Sequence, residues 1–157
     1  MTSAPIDSTT VGQPADIAAI VRHLSSYPGV VGCALVETAT GMVWHHSGEL
    51  VQIEQIGEAA VEFWRVHMRV STDFTGLGSL QHLSYAFPDH LVALFPCDSS
   101  RTLILVCVGK RPGMAWTHWA MGLVPLRKAL LAQKLRDEGV NGVVDRAAGV
   151  TGKVAAQ

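Results

Sequence analysis

The order in which apolar blocks succeed one another constrains this chain more than any single residue does. Ile17, Ile20, Val21 and Leu24 recur at helical spacing and run into Tyr27-Pro28-Gly29. Two strand-like runs follow, Val30–Val36 and Met42–His46. From about Ile53 to Val70 the helical period returns, with Ile53, Ile56, Ala60, Phe63, Trp64 and His67 on one side. Three closely spaced strands are expected near Leu80–Phe87, His90–Phe95 and Thr102–Gly109, and a second long helix, about Met114–Leu135, closes the series. An α-β-β-α-β-β-β-α order predicts an α+β domain, one sheet with helices laid on its faces.

Local punctuation supports these boundaries. Pro14 and Asp16 suit a first helical turn, and Pro28-Gly29 stops that helix. Thr38–Gly41 is short enough for a hairpin loop in which Gly41 takes positive φ. Ser71–Ser79, with Gly76 and Gly78, reads as a loop; it leads into a strand, so no helix N-terminus is there to hold a phosphate. The first, fourth and fifth strands are almost purely apolar, as expected of strands covered on both faces. The third mixes Gln81, His82 and Ser84 with apolar residues and belongs nearer an edge. Pro125 should kink or divide the closing helix. One domain over residues 14–136 is expected, between flexible segments at 1–13 and 137–157.

Composition narrows the function classes. Of the 157 residues, 48 % are hydrophobic and only 16 % charged, against roughly 25 % charged in typical soluble domains. A surface so poor in charge suggests an apolar patch covered by a second copy. Net charge is −1, yet it is divided: −7 up to Ser100 and +6 from Arg101 onward. A neutral, divided chain argues against nucleic-acid binding and suggests complementary faces that guide assembly. Cys33, Cys97 and Cys107 form no Cys-x-x-Cys pair, which fits a reducing cytoplasm. No basic stretch followed by an apolar run opens the chain, and Leu103–Val108 is too short to insert across a bilayer.

Chemical signatures are missing. His45 and His46 are neighbours on a strand and point to opposite faces, while His23, His67, His82, His90 and His118 are scattered. No metal or other cofactor is expected. No Gly-x-Ser-x-Gly, Walker or Rossmann pattern occurs, and Cys97-Asp98 has no local base, so no enzyme is expected. The alternative is a small-molecule sensor or enzyme with a pocket between helix and sheet, using Cys97, Asp98 and His90. Glu54, Glu58, Glu62, Arg65 and Arg69 line a second side of the long helix, either as a solvated face or as an acidic ridge that meets a basic partner. Phe63, Trp64, Trp116 and Trp119 either pack on the sheet or anchor a subunit contact.

Pro28-Gly29-Val30-Val31-Gly32-Cys33-Ala34-Leu35-Val36, the helix before it and the Gly41 hairpin after it carry a family resemblance. With the long helix, three-strand meander and closing helix in the same order, residues 14–135 resemble the roadblock/dynein light chain family, with profilin-like and longin domains as close relations of pattern. The resemblance implies a five-stranded antiparallel sheet in the order 2-1-5-4-3, the first and third helices on one face and the second on the other. It implies a homodimer joined antiparallel through the third strands, with second helices side by side. Leu80, Gln81, His82, Leu83, Ser84, Tyr85, Phe63, Trp64 and His67 would then form the interface. Members are scaffolds or regulators of small Ras-like GTPases, and some bacterial ones stimulate GTP hydrolysis. Here Glu54, Glu58, Glu62, Arg65 and Arg69 would lie on the partner-binding layer. No arginine is identifiable as a finger, so the expectation is binding without chemistry.

Overall fold

The computed structural model describes residues 16–148. The N-terminal segment 1–13 and the last nine residues of the expected C-terminal tail lie outside the described residues. Helix α1 (Ile17–Ser25) is capped by Asp16, whose carboxylate accepts the Ala19 N–H at 3.2 Å. The chain then turns through Gly29, at φ +86° beyond the reach of most side chains, into β1 (Val30–Glu37). Strand β2 (Val43–Gly48) follows a hairpin with Gly41 at φ +78°. Next come α2 (Ile53–Val70), a 3-10 helix (Ser71–Leu77), β3 (Leu83–Ala86), β4 (His90–Pro96) and β5 (Leu103–Lys110). Two helices close the fold, α3 (Trp116–Met121) and α4 (Leu123–Ala148).

The strands form one antiparallel sheet in the order β2-β1-β5-β4-β3, as the resemblance implied. Alternation along each strand sorts the core into two layers. Cys33, Leu35, Ala93, Phe95, Leu105 and Cys107 face α1, α3 and α4. Ala34, Val36, Val92, Leu94, Ile104, Val106 and Val108 face α2. Each central strand therefore needs an apolar residue at every position, and the sequence supplies it. Gly57 lets α2 come close to the sheet, because a Cβ there would sit 3.0 Å from the Cβ of Ala34. On the other face Trp119 ties α3 to α1, its indole N–H donating to the Leu24 carbonyl at 3.0 Å.

Several boundaries differ from expectation. Strand β3 is four residues long, so Leu80, Gln81 and His82 lead into it without belonging to it. In the observed register Gln81 would fall opposite Pro96, which has no N–H to extend a ladder. Ser71–Leu77 winds into a 3-10 helix instead of an open loop. The closing helix is divided at Gly122, three residues before Pro125, which thereby sits in the first turn of α4 where its missing N–H costs least. Helix α4 runs on to Ala148, so residues 137–148 are helical where a tail was expected.

Candidate partner-binding surface

Helix α2 has three sides. At roughly 100° per residue, Ile53, Gly57, Ala60, Val61 and Trp64 turn onto the sheet and are buried. Ala59, Phe63, Val66 and Val70 form a second line that is apolar and exposed. Glu54, Glu58, Glu62, Arg65 and Arg69 share the third side, away from the apolar line.

The apolar line meets the outer strand β3. The Phe63 ring stacks on Tyr85 with centroids 4.7 Å apart, and Tyr85 meets Phe87 edge-on at 5.7 Å. Phe74 and Leu77 of the 3-10 helix are exposed, Leu77 at 85 %, and Phe74 lies 6.1 Å from the His67 ring. β3 pairs with β4 on one side only, which leaves its outer backbone groups without a strand partner among the described residues. Leu83 and Tyr85 lean toward α2, while Ser84 points to the opposite face and is exposed. Burial raises the Tyr85 phenol above its ordinary pKa, so it stays a neutral donor.

This arrangement brings most of the expected interface residues together. Phe63, His67, Leu80, Leu83 and Tyr85 lie along the junction of α2 and β3, and Gln81, His82 and Ser84 are exposed beside it. Trp64 is a correction. It is 0 % exposed within its own subunit and supports the surface from beneath, where no partner side chain reaches. Val66, Val70, Phe74, Leu77 and Phe87 extend the patch and went unread in the sequence. Their signal was present: Val66 and Val70 stand three and seven residues beyond Phe63, on its side of the helix.

The charged side also needs correcting at one position. Arg65 is committed to its own chain, its Nε donating to the Thr38 carbonyl at 2.8 Å and Nη2 to Ala39 at 3.1 Å. Its Nη1 pairs with Glu62. Arg65 thus fastens the β1–β2 hairpin to α2 and is withdrawn from the partner-binding set. Glu54 sits 3.6 Å from His46 on β2, an exposed pair. Glu58 and Arg69 are exposed without a salt-bridge partner among the described residues.

The residues of the alternative pocket do not converge. Cys97 and Asp98 lie at one end of β4, beside a cleft of about 760 Å³ between the β4–β5 turn and α4. His90 begins β4 at its far end, opposite Lys110. Burial pushes the Cys97 thiol up to about 12, which leaves it protonated and a poor nucleophile. Burial also raises Asp98, but hydrogen bonds from the Ser100 and Thr102 hydroxyls and the Leu103 N–H outweigh it and hold the carboxyl below its ordinary pKa. Asp98 is thus occupied in shaping the turn. Among the described residues, no three His, Cys, Asp or Glu side chains group closely enough to hold a metal ion, and no helix is long and apolar enough to cross a membrane.

No protein-family model matches the chain, and no curated protein does. Solved structures do. A roadblock/LC7 domain from Streptomyces avermitilis aligns with TM-score 0.64 at 13 % identity, covering 77 % of this chain and 99 % of that one. Myxococcus xanthus MglB aligns with TM-score 0.60 at 10 % identity, over 78 % and 95 % of the two chains. The gliding protein MglB of Thermus thermophilus gives 0.59 at 13 %, over 76 % and 89 %. At such identities the likeness establishes the fold.

Proposed function

We propose that this chain, which has the roadblock/LC7 fold, works as a homodimeric docking module for a small Ras-like GTPase or a protein of similar surface, with no chemistry of its own. One observation carries the reading: the exposed apolar line of α2 runs without interruption into an outer strand whose outer edge has no strand partner among the described residues. An edge of that kind invites a second strand. A twin β3, paired antiparallel, would join two sheets of five into one of ten and bring the two α2 helices side by side. Phe63, Tyr85 and Phe87 would be covered at the seam. Glu54 and Glu58 would stay on the outer layer, where a basic partner surface could meet them, with Arg69 beside them for an acid of that partner.

Light scattering on the purified chain tests the dimer. The wild type is expected at the mass of two subunits, and His82→Glu with Ser84→Glu at the mass of one, with unchanged circular dichroism. An unchanged two-subunit mass would remove β3 as the seam. Affinity capture from source-cell lysate tests the partner. Recovery of a small GTPase that depends on an added GTP analogue supports the reading; its absence in both nucleotide states counts against that half.

A further inference from the structure

The two helical faces of the sheet carry opposite charge. On one face the first three turns of α2, Ile53–Trp64, hold Glu54, Glu58 and Glu62; Arg65, paired with Glu62, and Arg69 follow on the same side in the last turns. On the other face Leu123–Arg136 of α4 holds Arg127, Lys128, Lys134 and Arg136, all exposed, and no acid. We propose that the α4 face of one molecule docks on the α2 face of another, a head-to-tail contact between copies of this chain.

Geometry favours the match. Glu54 to Glu62 spans about 12 Å along its helix and Arg127 to Lys134 about 11 Å, at 1.5 Å per residue. Val124, Leu131 and Leu135 run between the cations of α4, each about half exposed. Beside them the cleft below the β4–β5 turn is lined by Arg101, Arg127 and Lys134. Asp98, Asp137 and Glu138 line the same cleft and balance those three cations, so the basic surface is the outer side of α4, with Lys128 and Arg136. Asp98 is held by the turn, Glu138 lies 4.0 Å from Lys134, and Asp137 with Glu138 marks the end of the basic stretch. Arg127 is held in place by the Pro96 carbonyl, which accepts from its Nε and Nη2 at 3.2 and 3.0 Å.

The occupant follows from the placement of both surfaces on every molecule, on opposite faces of one sheet. Net charge is −1, so long-range repulsion between copies is slight. A contact of this kind uses different surfaces on its two sides and leaves one of each free, so it continues into an open row. It is chiefly electrostatic and therefore weak and salt-sensitive. The contact stands apart from pairing through β3. It would also cover the ridge proposed above for a partner protein, and that consequence alone rests on the earlier reading.

Sedimentation velocity on the full chain at 50 and 500 mM NaCl provides the test. At low salt the mass should grow with concentration; at high salt it should return to one constant value, whether of one subunit or two. That base value reports on β3 separately, so failure of the row and failure of the dimer are distinguishable. Glu54→Lys, Glu58→Lys and Glu62→Lys together should weaken growth at least tenfold, as should Lys128→Glu, Lys134→Glu and Arg136→Glu together. Mixing the two triple variants, or combining all six changes in one chain, should restore association, which misfolded chains would not do. Absence of growth by the wild type at low salt, or growth indifferent to both reversals, would overturn the proposal. So would capture of the basic face by phosphatidylserine vesicles in a chain that does not self-associate.

Discussion

The sheet has two outer strands, and the molecule treats them differently. Strand β2 is flanked by α1 and α2. The Ser25 hydroxyl donates to the Ser47 carbonyl at 3.1 Å, and His46 sits beside Glu54. The hairpin leading into β2 is fastened by Arg65 to α2 and by the Thr38 N–H to the Thr102 carbonyl at 2.8 Å. Strand β3 has four residues, with Ser84 and Ala86 exposed on one face and aromatic Tyr85 stacked under an exposed Phe63 on the other. An edge on which neighbouring elements spend polar contacts is finished within the subunit. One that presents apolar side chains and an unpaired backbone is finished by something else.

The largest effect is expected beneath the open edge. Trp64→Ala should lower folding stability by about 3–5 kcal/mol, the usual range for emptying a filled aromatic site, measured by urea unfolding under conditions that hold the chain as single subunits. Phe63→Lys, one residue away but exposed, should cost less than about 1 kcal/mol and yet disrupt self-association. Equal losses of stability would mean that the patch around Phe63 is core, and the contrast between the edges would fail. Next in size, His82→Glu, just before β3, with Ser84→Glu within it should weaken dimerisation about a hundredfold, equivalent to about 2.7 kcal/mol. His45→Glu with Ser47→Glu on β2 should leave the mass unchanged. If the β2 pair broke the dimer instead, the two edges would exchange roles.

Some of this contrast was legible in the residues themselves. Gln81, His82 and Ser84 interrupt an otherwise apolar run and mark β3 as an edge, whereas β1, β4 and β5 read as buried because both faces are covered. The order of the strands was not legible from the runs and came from the resemblance, since strand order depends on contacts far apart in sequence. Helical period placed Phe63 and Trp64 on the same broad side; it is too coarse to say that only Trp64 is covered. The role of Arg65 depends on the carbonyls of Thr38 and Ala39, more than twenty residues earlier, which no local pattern brings near.

At the closed end, a chain of hydrogen bonds runs from Arg65 to Thr38, from Thr38 to Thr102, and from Thr102 to Asp98. Asp98→Ala should therefore cost about 1–2 kcal/mol, the scale of losing hydrogen bonds to a charged acceptor, with the oligomer unchanged. The sign of its pH dependence is fixed. The folded carboxyl titrates below its ordinary value, so its stabilisation is complete above the unfolded pKa and fades as pH falls through the folded one. The gap between wild type and variant in urea midpoints should accordingly narrow on acidification below the ordinary carboxylate range. A gap that widened there would show Asp98 stabilised in its protonated form.

The smallest effect is expected from the pair that closes β2 most visibly. His46 and Glu54 are 3.6 Å apart, but both side chains are about half exposed. Water screens such a pair, and an imidazole attracts a carboxylate strongly only when protonated, so a double-mutant cycle with His46→Gln and Glu54→Gln should give a coupling below about 0.5 kcal/mol. A coupling above about 1 kcal/mol would mean that β2 is closed by charge. The smaller value would leave packing by α1 and α2, with the hairpin lashed by Arg65, as what finishes that edge and what β3 lacks on its Ser84 side.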